Sequence, residues 1–193
     1  MKKNIFRILC NPITGKIISL LFNYNIPNCK YGFKRYKTPP NYCSDTVRAM
    51  IFFGFYEGAE MRMIRKHLPK NIPVIELGSS LGIVSSTAIS YLDIDTLYTC
   101  IEANPNLKEY IELNIKKHNP AKEKFNVIST AIAYNTNGFI DMCISKNNTE
   151  SSIIENSRNL NIQTTKVKAS TLNEIVTEPY TLICDIEGAE IQL

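Results

Sequence analysis

The chain is poor in the side chains that most often carry metal and acid-base chemistry. It holds only two histidines, His67 and His118, both in stretches that read as helical surface, so no imidazole base and no metal site is assigned. None of the six cysteines (Cys10, Cys29, Cys43, Cys100, Cys143, Cys184) forms a Cys-x-x-Cys pair. With Cys100 and Cys184 inside predicted buried strands, they read as reduced core thiols of a cytoplasmic protein rather than a disulfide or zinc framework. No apolar run is long enough to cross a bilayer. The apolar patch in residues 1–10 is broken by Asn11 and Pro12 before the core of a signal peptide can form. No internal repeat is present. A net charge of +4 is mild, and the lysines are scattered rather than striped with aromatics, so nucleic acid is not an expected partner.

What is present is enough for a core. With 193 residues, 44% of them hydrophobic, the chain supports one domain and an extension, divided here as a helical extension over residues 1–70 and a domain over residues 71–193. From Thr14, the residues Ile17, Ile18, Leu21 and Phe22, with Lys16 beside them, predict a short amphipathic helix. It docks on the domain or makes, at most, weak contact with a membrane surface. Another helix is expected after Ser44, and Met61, Ile64 and Leu68 continue an apolar stripe beyond an interruption at Tyr56-Glu57-Gly58.

Ile75-Glu76-Leu77-Gly78-Ser79-Ser80-Leu81-Gly82 is the most informative string. Residues 74–77 are an apolar run between Pro73 and Gly78, and helical spacing resumes through Val84, Ala88 and Leu92. Residues 78–82 therefore turn from a strand into a helix. Glycine allows close approach of backbone to a ligand, and the N–H groups opening the helix favour a carboxylate or phosphate. A second buried strand over residues 98–101 ends in Glu102, in the string Ile101-Glu102-Ala103-Asn104-Pro105. An acid at that position accepts both hydroxyls of a ribose in dinucleotide-type folds. Asn104 and Pro105 fit the cap and first position of a helix carrying Leu107, Tyr110, Ile111, Asn114 and Ile115. The pattern reads as a nucleoside site built by Glu76, Gly78, Ser79, Ser80, Gly82, Glu102, Ala103 and Asn104. The Gly-x-x-x-Gly turn with its leading glutamate suits S-adenosylmethionine, which has an amino-acid tail and no phosphate, better than a nicotinamide dinucleotide. Glu57 and Glu60 read as first-turn acids complementing a helix dipole, with the alternative that one of them reaches the cofactor pocket.

A third strand is expected over residues 125–134, its end placing Thr130 and Ala131 near an adenine ring, followed by a hairpin turn at Asn135-Thr136-Asn137-Gly138 into residues 139–144. Residues 147–161 read as a polar loop. Extended structure resumes at residues 167–169, and Thr171-Leu172-Asn173-Glu174 has capping-box spacing. A fourth buried strand over residues 180–186 ends in Asp185-Ile186-Glu187-Gly188-Ala189-Glu190. Its three carboxylates are expected beside a methyl donor and its acceptor, with Asp185, Glu187 or Glu190 as the base that takes a hydroxyl proton. The other reading is helix N-terminal acids satisfying a dipole.

Val74-Ile75-Glu76-Leu77-Gly78, Ile101-Glu102-Ala103-Asn104-Pro105, Thr171-Leu172 and Asp185-Ile186-Glu187-Gly188-Ala189-Glu190 together resemble the successive motifs of the FkbM family of S-adenosylmethionine-dependent methyltransferases. The resemblance covers residues 56–193 and implies an α/β, class I (Rossmann-like) three-layer sandwich. It also implies O-methylation of a sugar or other small-molecule hydroxyl in polysaccharide or natural-product biosynthesis. Glu76, Gly78, Ser80 and Gly82 then fall on the cofactor loop and Glu102 on the ribose acid. The family sheet has the order 3-2-1-4-5-7-6, of which residues up to Leu193 supply the 3-2-1-4 part. The fourth strand is accordingly expected as an edge through which copies of the chain pair. Absence of an Asn/Asp-Pro-Pro-aromatic string speaks against methylation of base amino groups. A noncatalytic nucleoside-binding remnant and a nicotinamide-dependent oxidoreductase are the other readings of the same residues.

Overall fold

Asn11 accepts a hydrogen bond from the Thr14 N–H at 3.0 Å, and Pro12 follows it, so the chain turns at this point from one short helix into another. In the computed structural model, which describes residues 2–30, 32, 34–134, 136–143, 152–153 and 164–186, these are α1 (Lys2–Leu9) and α2 (Pro12–Phe22). A two-stranded antiparallel ribbon follows, β1 (Asn25–Pro27) with β2 (Arg35–Lys37). Next come α3 (Asp45–Phe53), capped by Ser44, and α4 (Gly58–His67). Between them Tyr56-Glu57-Gly58 makes the expected break, and Glu57 takes a left-handed φ of 50°. The predicted helix from Thr14 docks on α3. Gly15 lies so close to the Asp45 carbonyl that a Cβ would overlap it.

The apolar run 74–77 is β3 (Val74–Leu77), buried at every residue, and it leads through the glycine turn into α5 (Ile83–Ile89). β4 (Tyr98–Glu102) is equally buried, and Asn104 caps the turn that opens α6 (Lys108–His118). The third expected strand is divided. β5 (Phe125–Ser129) ends before Thr130, and the chain resumes as β6 (Ala131–Ile132) in a different sheet. Beyond it lie β7 (Phe139–Cys143), β8 (Ser152–Ile153), β9 (Thr164–Ser170), α7 (Leu172–Ile175) and β10 (Thr181–Cys184).

The central sheet has the order β5-β4-β3-β10, all parallel, which is the 3-2-1-4 order expected. Strand alternation sorts its two faces. Val74, Tyr98 and Cys100 pack toward α4, α5 and α6, whereas Ile75, Leu77 and Ile101 meet Ile132, Leu172 and Tyr180 on the other side. The protein is therefore an α/β fold on a parallel sheet. The second sheet, β6-β9-β7-β8, corrects the expected hairpin: β6 and β7 are not paired, because β9 lies between them, parallel to β6 and antiparallel to β7. Two consecutive segments separated by a short turn gave no sign that a strand some thirty residues on would insert between them.

The extension is not a separate unit. Ile18, Ile26, Tyr36, Val47 and Met61 share one core with Val74, Leu81, Tyr98 and Leu107. Asn114, fully buried on α6, accepts from the Lys37 N–H at 2.7 Å and donates to the carbonyls of Lys37 and Leu81 at 3.0 and 2.8 Å. It thereby ties β2 to the glycine turn. Arg48, also buried, pairs with Asp45 at 2.7 Å and donates to the Pro39 carbonyl at 2.7 Å. Among the described residues no helix is long and apolar enough to cross a membrane.

Candidate functional site

Parallel strands that end side by side present their following loops to the same space. The carboxyl ends of β3, β4 and β10 do so here, and the residues that follow β3 and β10, together with the start of α4, surround a narrow cleft. It is lined by Tyr56, Glu57 and Glu60 from the start of α4, by Glu76 and residues 78–80 after β3, and by Asp185 after β10.

The turn is held by backbone. Gly78 and Ser79 N–H both donate to the Ile101 carbonyl, at 2.9 and 3.3 Å, and Gly82 N–H donates to Ser79 at 2.8 Å. Gly78 has φ 82°, and a Cβ on it would overlap the carbonyl of Asp185. Only glycine lets β3 and β10 end so close together. Ser80, at φ 48°, aims its N–H at Glu102.

Glu102 reaches the turn from the neighbouring strand. Its Oε2 accepts the Ser80 N–H and its Oε1 the Asn104 N–H, both at 2.8 Å. Burial raises its pKa, and these two hydrogen bonds to the charged form offset part of that rise. Each carboxylate oxygen keeps a further lone pair. Asn104 uses its Oδ1 to cap Asn106 N–H at 3.1 Å, while its Nδ2 is buried without a partner.

Glu76, 2% exposed, accepts from Ser85 Oγ on α5 and has Cys100 Sγ at 3.7 Å. The hydroxyls of Ser79 and Tyr98 also bear on this carboxylate, although neither reaches hydrogen-bonding geometry. Desolvation raises the Glu76 pKa, against the opposing effect of these neighbours. On the outer side of the turn, Tyr56 Oη lies 3.3 Å from Ser80 Oγ.

Glu57, Glu60 and Asp185 bring carboxylate oxygens within 4.8 Å of one another. Burial, followed by the adjoining Glu57 carboxylate, pushes the Glu60 pKa up to about 8. Glu60 is a first-turn acid of α4, as expected, while Glu57 stands at the N-cap position. Glu57 caps nothing with its side chain, and both line the cleft. The sequence offered a signal in the break at Tyr56-Glu57-Gly58, which turns the start of α4 toward the strand ends.

The other sequence-predicted residues divide. Gly82 begins α5, and Ala103 packs behind the site with Ala131. Thr130 is buried and spends its hydroxyl on Lys168 O and Ser170 Oγ of β9, at 3.0 and 3.1 Å, and Ala131 pairs with Ala169. In this structure both are engaged with β9. Asp185 is exposed and stands in the cleft, one residue past the end of β10. Glu187 and Glu190 lie outside the described residues. His67 is exposed on α4, and His118 lies 2.9 Å from the Arg35 carbonyl and against the Tyr36 ring; neither lines the cleft.

No model of a known protein family matches the chain, and no curated protein matches it either.

Proposed function

We propose that the chain is an S-adenosylmethionine-dependent O-methyltransferase with a class I fold, acting on a hydroxyl of a sugar or another small molecule. The observation that carries this reading is the meeting of Glu102 with the glycine turn, through the 2.8 Å hydrogen bond from Ser80 N–H. Two motifs more than twenty residues apart bring an acid and a glycine turn together at the ends of adjacent parallel strands.

The donor set fits the cofactor. Glu57, Glu60 and Asp185 gather three carboxyl groups at the cleft, and a ligand carrying an ammonium and a sulfonium would favour their charged forms, including that of Glu60, whose ionisation is otherwise held back to about 8. The same charge opposes the pyrophosphate of a nicotinamide dinucleotide. In this proposal Glu102 holds the ribose hydroxyls, Gly78 and Ser79 let backbone lie against the ligand, and the acids around Asp185 hold its amino-acid end. Bound S-adenosylmethionine supplies an activated methyl group for in-line displacement, a reaction in which alignment accounts for much of the rate. Asp185, or Glu187 or Glu190 of the same acidic string, accepts the proton that the hydroxyl releases. The open edge at β10, among the described strands, is where copies of the chain pair in this proposal.

Calorimetric titration tests it. S-adenosylmethionine binds the wild type, NADH does not, and Glu102→Ala weakens binding by about 1.5 kcal/mol or more through loss of charge-assisted hydrogen bonds to ribose. Equal affinity of Glu102→Ala and wild type removes the ribose assignment, and preferential binding of NADH removes the methyl donor. Asp185→Asn is expected to keep cofactor affinity within about threefold while a hydroxyl acceptor is methylated at least about a hundredfold more slowly, the range of a lost general base.

A further inference from the structure

The N-terminal helices carry an apolar face that nothing among the described residues covers. On α2, Gly15, Ile18 and Ser19 are buried, and Gly15 and Ser19 meet Asp45 of α3. The opposite side presents Ile13, Ile17, Leu20 and Leu21, at the i, i+4, i+7 and i+8 positions of a single helical stripe. Their exposures are 76%, 53%, 69% and 73%, and Ile8 at the end of α1 is 69% exposed. A helix apolar on both sides is ordinarily buried on both. Here only one side is.

Charge identifies the occupant. The first acidic residue of the chain is Asp45, and eight lysines and arginines precede it. Arg7 and Lys16 are exposed, and Lys16 borders the stripe. Protein interfaces are depleted in lysine and enriched in aromatic residues. Leucine and isoleucine flanked by basic side chains, on helices that carry no acid of their own and whose one acidic neighbour, Asp45, is on the buried side and paired with Arg48, match a helix lying in the plane of an anionic bilayer. At eleven residues α2 is about 16 Å long, too short to span.

We propose that α1 and α2 dock the protein on an anionic lipid surface, with Ile13, Ile17, Leu20 and Leu21 entering the boundary between headgroups and acyl chains. The face buried on α3 stays in place, so the fold does not open to bind.

The test sediments the full chain with vesicles of phosphatidylcholine alone, or with about a third phosphatidylglycerol, in about 0.1 M sodium chloride. Wild-type protein sediments with the anionic vesicles about tenfold more than with the neutral ones, and about 0.5 M salt releases it. The triple variant Ile13→Gln, Ile17→Gln, Leu20→Gln keeps the wild-type melting temperature, because all three side chains are exposed, and loses about tenfold or more in vesicle binding. Absence of wild-type binding to anionic vesicles overturns the proposal, as does equal binding by a folded triple variant. A concentration-dependent dimer that the triple variant abolishes, with no vesicle binding, assigns the face to a second copy and likewise overturns it.

Discussion

At the scale of single residues, the cleft is defined by carboxyl groups held away from their ordinary ionisation. Glu60 goes from an ordinary 4.5 to about 8 because burial and Glu57 both disfavour its charge. A raised acid pKa contributes stability that is fully present below 4.5 and is lost as pH rises through about 8, since the unfolded chain releases the proton first. His118, lowered to about 4 chiefly by burial, acts in the opposite sense and costs stability as pH falls from 6.5 toward 4. Comparison with Glu60→Gln isolates the first effect. The two proteins melt together near pH 4.5, and the variant becomes the more stable by a degree or more near pH 9, a modest gain because Glu60 is only half-buried. Melting curves across that range check this, and a constant difference at every pH would remove Glu60 from the titrating cluster.

At the scale of elements, the close ends of β3 and β10 rest on Gly78. Alanine there meets the Asp185 carbonyl and must also adopt φ 82°. The left-handed backbone alone costs about 1–2 kcal/mol. With the overlap added, Gly78→Ala is expected to lose about 3 kcal/mol or more in urea unfolding, and to weaken cofactor binding by displacing the turn that carries Ser79 and Ser80. Much of this arrangement was legible beforehand: the apolar runs at 74–77 and 98–101, the glycine turn and the Asn104-Pro105 cap each have a local cause. The pairing of β6 with β9 was not, because register between distant strands is decided by which faces they bury together. Nor were the partners of Thr130, whose hydroxyl is engaged by Lys168 and Ser170 of β9.

At the scale of the whole molecule, the helical extension and the parallel sheet share one core and are expected to unfold together. Asn114 makes three buried hydrogen bonds across their junction, and its replacement leaves the Lys37 N–H without its side-chain acceptor. Asn114→Ala should therefore destabilise the entire protein by about 3 kcal/mol, with far-ultraviolet and near-ultraviolet circular dichroism melting in one coincident transition. Two separated transitions would mean that residues 1–70 form a unit of their own.

Sequence alone determined the strongly periodic features: the buried strands at 74–77 and 98–101, the helices that start near Ser44 and Asn104, and that Gly78 and Glu102 close neighbouring strands. These follow from alternation, capping and backbone freedom, which act over a few residues. Tertiary structure decided what distance along the chain conceals. It brought Glu57 and Glu60 beside Asp185, inserted β9 between β6 and β7, and merged the extension into the sheet's core. It also left one side of α2 bare while covering the other, because which apolar surfaces meet is settled only when the whole chain has packed.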